Sequence, residues 1–232
     1  SNIIVIGVIM KISESTLEVL TNFSSINNGI TVQTGNEIKT ISPMKNIFGK
    51  AKLTDNFASQ FSVYDLPEFL ATISLLGNDA EFDFGEKSVN ISGDGASATY
   101  NYADASMIIS PPEKDITMPN PEVVFDIDDN LLSKLKKASA VLSLPDLVLE
   151  SNGTVVTLTV KDKKNPSSNQ FSEVIMDGDG QTYAMNFKME NIKIVNDEYT
   201  VYVSSKGLSQ FVAKTKGLEY FIALEPDSVF GS

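Results

Sequence analysis

The sequence predicts an α+β protein of two similar domains, each built from antiparallel sheets with two helices. Three observations point there. The pattern Ile12-Ser13-x-x-x-Leu17-x-x-Leu20-x-x-x-Ser24-x-Ile26 recurs with unchanged spacing as Ile127-Asp128-x-x-x-Leu132-x-x-Leu135-x-x-x-Ser139-x-Val141. Each copy is followed by several short β-type runs separated by turn residues. Between the halves, Pro111, Pro112, Pro119 and Pro121 with Glu113, Lys114 and Asp115 rule out a helix or a central strand and read as an extended linker. The expected organisation is a first domain over 10–109, a linker over 110–121 and a second domain over 122–232. Residues 1–9 are apolar but lack a positive n-region and a cleavage site, and are expected to be an N-terminal extension or scar outside the fold.

The elements follow in order. Leu17, Leu20, Phe23 and Ile26 lie at helical spacing, with Ser13 as N-cap, Glu14 and Glu18 near the positive end of the dipole and Gly29 as a stop. Strands are expected at 30–34, 37–42, 48–53 and 57–63, with Asp55-Asn56 as a turn. Asp65-Leu66-Pro67-Glu68 opens a second helix whose apolar face is Leu66, Phe69, Leu70, Ile73 and Leu76. Strands at 80–84, 88–92 and 97–102 close the first half. The second half repeats the order: a helix over 128–143, a hairpin about Asn152-Gly153, a lysine-rich loop over 161–170, and strands at 171–176 and 182–187. A short helical piece is expected over 189–195, followed by strands at 199–204, 208–215 and 219–224.

Composition excludes more than it proposes. Cysteine and histidine are absent, and all 18 basic residues are lysines. That removes disulfides, thiolate chemistry, imidazole bases, the commonest metal ligand and the bidentate guanidinium fork. No residue is nominated as catalytic or metal-ligating, and no cofactor is expected. Asp177-Gly178-Asp179-Gly180 lacks the full spacing and closing Glu of a calcium loop and reads as a turn, as does Gly93-Asp94-Gly95. A net charge of −12 argues against a simple nucleic-acid binder, so the placement of the lysines matters more than their number. On the helix over 128–143, Lys134 and Lys137 stand opposite the apolar stripe and Lys136 lies on its flank. Lys11 starts the equivalent first-half helix, and Lys188 and Lys193 flank the helical piece of the second half. Taken from the residues alone, such lysines fit a solvated face as well as a binding face.

Several segments carry a family resemblance: Met10-Lys11-Ile12-Ser13, LEVLTNFSSINNGI over 17–30, Tyr64-Asp65-Leu66-Pro67-Glu68-Phe69-Leu70, and the tail Tyr220-Phe221-Ile222-Ala223-Leu224-Glu225-Pro226-Asp227-Ser228. The chain resembles the DNA polymerase sliding clamps, most closely the processivity clamps of T4-type bacteriophages within the proliferating cell nuclear antigen-like superfamily. The resemblance implies a non-enzymatic homotrimeric ring, with helices lining a hole through which duplex DNA passes unread. It implies tethering of the replicative DNA polymerase, loading by an ATP-dependent clamp loader, and work in the cytoplasm of an infected host cell with no membrane partner. On it, Lys134, Lys136, Lys137, Lys11, Lys188 and Lys193 become the DNA-facing residues. Ile108, Ile109, Leu224, Val229 and Phe230 fall in the regions of the partner pocket. Subunits would join through an edge strand near 97–102 and another near 171–176. A trimer would carry three times −12, leaving a lysine-lined hole as the attractive region for DNA. The rival reading is a two-domain β-rich viral structural or adhesion protein with no DNA role.

Overall fold

Ser13, Asp65 and Asp128 open the three α-helices found among the described residues, each side chain accepting a hydrogen bond from a backbone N–H of the first turn. The computed structural model describes residues 8–231. The chain divides into two units, one of residues 1–43 and 49–112, the other of 44–48 and 113–232.

In the first unit, β1 (Val8–Lys11) leads into α1 (Glu14–Ser24), then β2 (Ile30–Val32), β3 (Gly35–Ile41), β4 (Ile47–Phe57, of which 49–57 lie here) and β5 (Phe61–Val63). Next come α2 (Leu66–Leu75), β6 (Glu81–Phe84), β7 (Ser88–Gly93) and β8 (Ala96–Asn101). An antiparallel sheet has the order β1-β6-β7-β8, and β2 pairs with β5. Phe23 of α1, Leu66 and Phe69 of α2, and Phe82 and Ile91 of the sheet are almost wholly buried. Each such side chain contributes about 1.5–3 kcal/mol of transfer free energy. Rings of Phe57, Phe61, Phe84 and Tyr102 pack into one aromatic cluster, with centroids 5.1–6.0 Å apart along its contacts.

The second unit contains β9 (Val123–Ile127), α3 (Asp129–Leu142), β10 (Asp146–Asn152), β11 (Val155–Lys161), β12 (Phe171–Asp177) and β13 (Thr182–Lys188). After a single 3-10 turn at Met189–Asn191 follow β14 (Tyr199–Ser204), β15 (Leu208–Ala213), β16 (Leu218–Ala223) and β17 (Val229–Phe230). One sheet runs β12-β11-β10-β13-β17 and another runs β16-β15-β14-β9. Residues 44–48 attach at β16, where the Ala223 N–H donates to the Asn46 carbonyl and Phe48 meets Phe221 edge to face. Leu132 and Leu135 of α3 are buried, as are Leu149, Met185 and Phe187 of the β10–β13 pair. Tyr199 and Tyr220 are fully buried yet hydrogen-bonded: the Tyr199 hydroxyl donates to the Val195 carbonyl, and the Val195 N–H donates to the Tyr220 hydroxyl.

The structure departs from the sequence expectations at specific places. β4 runs unbroken through Asp55-Asn56, because Asp55 is used from within the strand. Its Oδ2 accepts from the Ser13 N–H, the Ser13 hydroxyl and the Thr16 hydroxyl, at 2.7–2.9 Å, and so fastens the start of α1. α1 stops at Ser24, four residues short of Asn28. Beyond it, Asn27 accepts from the Gly29 N–H and donates to the carbonyls of Ile41 and Ile109. The expected helical piece over 189–195 is only a 3-10 turn. Ile192 and Ile194 are both buried around exposed Lys193, and that period-2 burial demands extended backbone. Of the expected N-terminal extension, residues 1–7 lie outside the described residues, whereas Val8 and Ile9 pair with Phe84 and Asp83 in β1.

Candidate nucleic-acid interface

α3 presents the main lysine face. Asp128 caps its start through the Leu131 N–H at 2.7 Å, and Leu131, Leu132 and Leu135 fix its buried side. Its three lysines then diverge. Lys137 is exposed and, among the described residues, has no ion-pair partner. Lys134 reaches Glu173 on β12 at 3.1 Å, with both side chains partly exposed. Lys136 turns along the protein surface and donates to the Ile194 carbonyl at 2.8 Å and to Asn196 Oδ1 at 3.0 Å. Burial pulls the Lys136 pKa down, against the opposing charge of Asp129. Lys136 also borders a cavity of about 550 Å³ lined by Ser139, Pro145, Lys188 and Met189.

The other candidate lysines lie off the helix, Lys188 across the cavity it shares with Lys136. Lys188, at the end of β13, pairs at 3.0 Å with Asp146, whose side chain is almost fully buried. That hydrogen bond raises the pKa of the ammonium. Asp146 also accepts from the Lys163 N–H at 2.9 Å, so it anchors the lysine-rich loop. Lys163 pairs in addition with Asp227. Lys193 is exposed on the extended segment between Ile192 and Ile194, and Lys11 is the exposed last residue of β1. Helices α1 and α2 carry Glu14, Glu18 and Glu68 and no lysine.

The residues expected at a partner pocket fall in both units. In the first, Ile108 packs so closely on Gly29 that a Cβ there would stand 2.9 Å from its Cδ1, and Ile109 is 46% exposed. In the second, Leu224 is buried, Val229 is 56% exposed, and Phe230 stacks on Tyr183 with centroids 5.5 Å apart in the β13–β17 pair. The strands expected at subunit joints, β8 and β12, are each the outermost of their sheet. Among the described residues no group of three or more acidic side chains could hold a metal ion, and no helix is long and apolar enough to cross a membrane. Sequence periodicity located the lysine-bearing helix but missed the partners that sort its lysines. Glu173, Ile194 and Asn196 lie 39–60 residues away in the chain, and no local signal links them to α3.

Comparison with known proteins accounts for both halves. Residues 11–110 match the family described as DNA polymerase processivity factor, and residues 124–226 match the gp45 sliding clamp, C-terminal family. The sliding clamp of Vibrio phage KVP40 is 38% identical over 223 residues, covering 93% of this chain and 99% of that protein. The sliding clamp of Enterobacteria phage T4 is 28% identical over 94% of this chain and 98% of its own length. Among solved structures, an A. fulgidus PCNA bound to the C-terminal region of FEN-1 superposes with a TM-score of 0.67 at 13% identity, over 96% of this chain and 99% of that one. The H. pylori beta clamp gives 0.68 at 8% identity, over 97% of this chain and 67% of that one, so these two likenesses speak for the fold alone. The rival reading of a structural or adhesion protein is set aside by the phage relatives. The chain belongs to the sliding-clamp family of DNA polymerase processivity factors of T4-type phages, a family of tethers and not of enzymes.

Proposed function

We propose that three copies of this chain close into a ring around duplex DNA and tether a replicative polymerase to it, in the cytoplasm of an infected host cell. The observation that carries the reading is that one sheet of each unit ends in an edge strand where the family resemblance expects a subunit joint. β8 ends a sheet of the first unit and β12 ends a sheet of the second. Strand addition from copy to copy would use up both, and a heterologous contact of this kind closes when its rotation divides the circle.

Inside such a ring, flexible ammonium groups suit a partner that must be held without being read, because phosphate contacts position a protein and carry no sequence information. Lys137 has the freest ammonium of α3, and Lys134, Lys193 and Lys11 are the further exposed candidates. Lys136 and Lys188 contribute positive potential from positions fixed by their own hydrogen bonds. The acidic remainder of the surface repels DNA from everywhere else. A clamp loader that opens the ring and a polymerase docking near Ile108, Ile109, Leu224, Val229 and Phe230 complete the reading.

The test pairs sedimentation over a range of concentrations with primer extension on circular DNA by the polymerase of the same phage. The expected mass is that of three 25.2 kDa chains, with longer products when the protein is present. A protein that stays monomeric and leaves product length unchanged would overturn the proposal.

A further inference from the structure

The internal repeat allows α1 and α3 to be compared position by position. Their N-caps Ser13 and Asp128 correspond, and Thr16 and Leu20 are buried where Leu131 and Leu135 are buried. The two helices therefore turn the same side to their own unit and the same side outward. What they carry outward differs. At the places of Lys136 and Lys137, α1 has Thr21 and Asn22, and at the place of Ser133 it has Glu18. Glu14, Glu18, Thr21 and Ser25 stand at i, i+4, i+7 and i+11, an exposed flank with two carboxylates and no cation. Glu14 has an acidic counterpart in Asp129, and either serves the helix dipole. The divergence begins at Glu18.

The hydroxyls of the first unit's helices complete the contrast. Thr21 donates to the Leu17 carbonyl at 2.7 Å, Ser24 to the Thr21 carbonyl at 2.6 Å and Ser25 to the Asn22 carbonyl at 2.6 Å. On α2, Thr72 donates to the Glu68 carbonyl at 2.9 Å and Ser74 to the Ala71 carbonyl at 2.7 Å. Each of these protons is used on its own helix, so the hydroxyls present lone pairs to a ligand. A phosphate oxygen needs a donor or a cation. These faces answer it with carboxylates and acceptors.

We infer that the outward face of α1, with Glu18 at its centre, repels phosphate and keeps the duplex off the first unit, so that α3 carries the backbone contacts of each copy. The inference rests on the ring reading above, which turns both helices to the duplex, and it concerns the bore and not the outer surface. Each ring then has three adhesive faces and three repelling ones, and the duplex is held at a few patches in place of an all-round grip. Fewer neutralised phosphates mean a weaker hold and a shallower salt dependence, which suits a tether that must slide. Lys11, on β1 ahead of the helix, is the one first-unit lysine among the DNA-facing candidates and supplies what attraction that unit has.

The test moves charge between equivalent places. Asn22→Lys sets the counterpart of the Lys137 ammonium on α1. In the trimer it should steepen the slope of log K against log salt for a labelled duplex by up to about 2.7, from three cations at about 0.9 each. Glu18→Gln removes charge without adding a cation and should tighten binding about fivefold at low salt. Glu86→Gln, in the β6–β7 turn, makes the same change of net charge and should alter binding less than about twofold. Sedimentation and urea unfolding check that each variant keeps its mass and stability. If either Asn22→Lys or Glu18→Gln binds like the unmodified protein while Lys137→Ala lowers the slope, α1 does not repel the duplex and the ring reading stands without this inference. If Glu86→Gln tightens binding as much as Glu18→Gln, net charge is responsible and the inference is overturned. If Lys137→Ala changes nothing and the unmodified protein sediments as a monomer, the ring reading fails and takes the inference with it.

Discussion

Replacing Lys137 with alanine should weaken the salt dependence of duplex binding and leave the fold untouched, and replacing Lys136 should do the reverse. Lys137 is exposed on α3, has no ion-pair partner among the described residues, and stands away from the Leu131, Leu132 and Leu135 side. Each neutralised phosphate contributes about 0.9 to the slope of log K against log salt, so three copies of the variant lose up to about 2.7 of that slope. Between about 50 and 200 mM salt this shrinks the loss of affinity by up to about 40-fold. Lys136 instead spends its ammonium on the Ile194 carbonyl and Asn196. Truncating it strips a partly buried carbonyl of its donor and costs about 1 kcal/mol of stability. Fluorescence anisotropy of a labelled duplex, titrated across that salt range, reads the slope, and urea unfolding reads the stability. Equal slope changes in the two variants, or none for Lys137→Ala, would show that the burial and hydrogen bonding of these lysines do not decide which of them meets phosphate.

Two further outcomes concern stability. Burial pushes the Asp55 pKa up, but hydrogen bonds from Thr16 and Ser13 outweigh it and hold the pKa below the usual carboxylate value. A depressed folded pKa means the stabilisation is full above the unfolded carboxylate value, about pH 4, and is lost as pH falls through the lower folded value. Asp55→Asn should therefore lower the melting temperature at pH 7 and flatten its decline on acidification; an unchanged acid profile would dismiss Asp55 as the anchor of α1. Ser143 ends α3 in the left-handed conformation at φ 54° without being glycine. Ser143→Gly should raise stability by up to about 1 kcal/mol, read as a higher urea midpoint, and a lower midpoint would count against strain at that cap.

Where local chemistry dictates structure, the sequence was readable. Asp65-Leu66-Pro67-Glu68 opens a helix at Leu66, Asp128 caps α3, and Asn152-Gly153 makes the β10–β11 turn. Where distant partners dictate it, the sequence misled. Asp-Asn reads as a turn, yet Asp55 sits in a strand because α1, some forty residues earlier, needs its carboxylate. β9 has a clean inward–outward alternation at Val123–Ile127, but the prolines before it and the helix cap after it drew the reading past it. The candidate site follows the same division. Periodicity identified the lysine-bearing helix, and three-dimensional packing separated Lys137 from Lys136. The family resemblance supplied the ring, which no side-chain spacing could have done.

The Asn152-Gly153 turn has a further effect on the durability of the molecule. Asparagine followed by glycine is the dipeptide most prone to spontaneous deamidation, in which the glycine nitrogen attacks the asparagine amide carbon. Here the Gly153 N–H donates to the Ser151 hydroxyl, while Asn152 Oδ1 is held by the N–H groups of Thr154 and Val155. These contacts hold the Gly153 nitrogen and the Asn152 side chain in separate hydrogen bonds, so deamidation at Asn152 should run slower in the folded hairpin than in the unfolded chain.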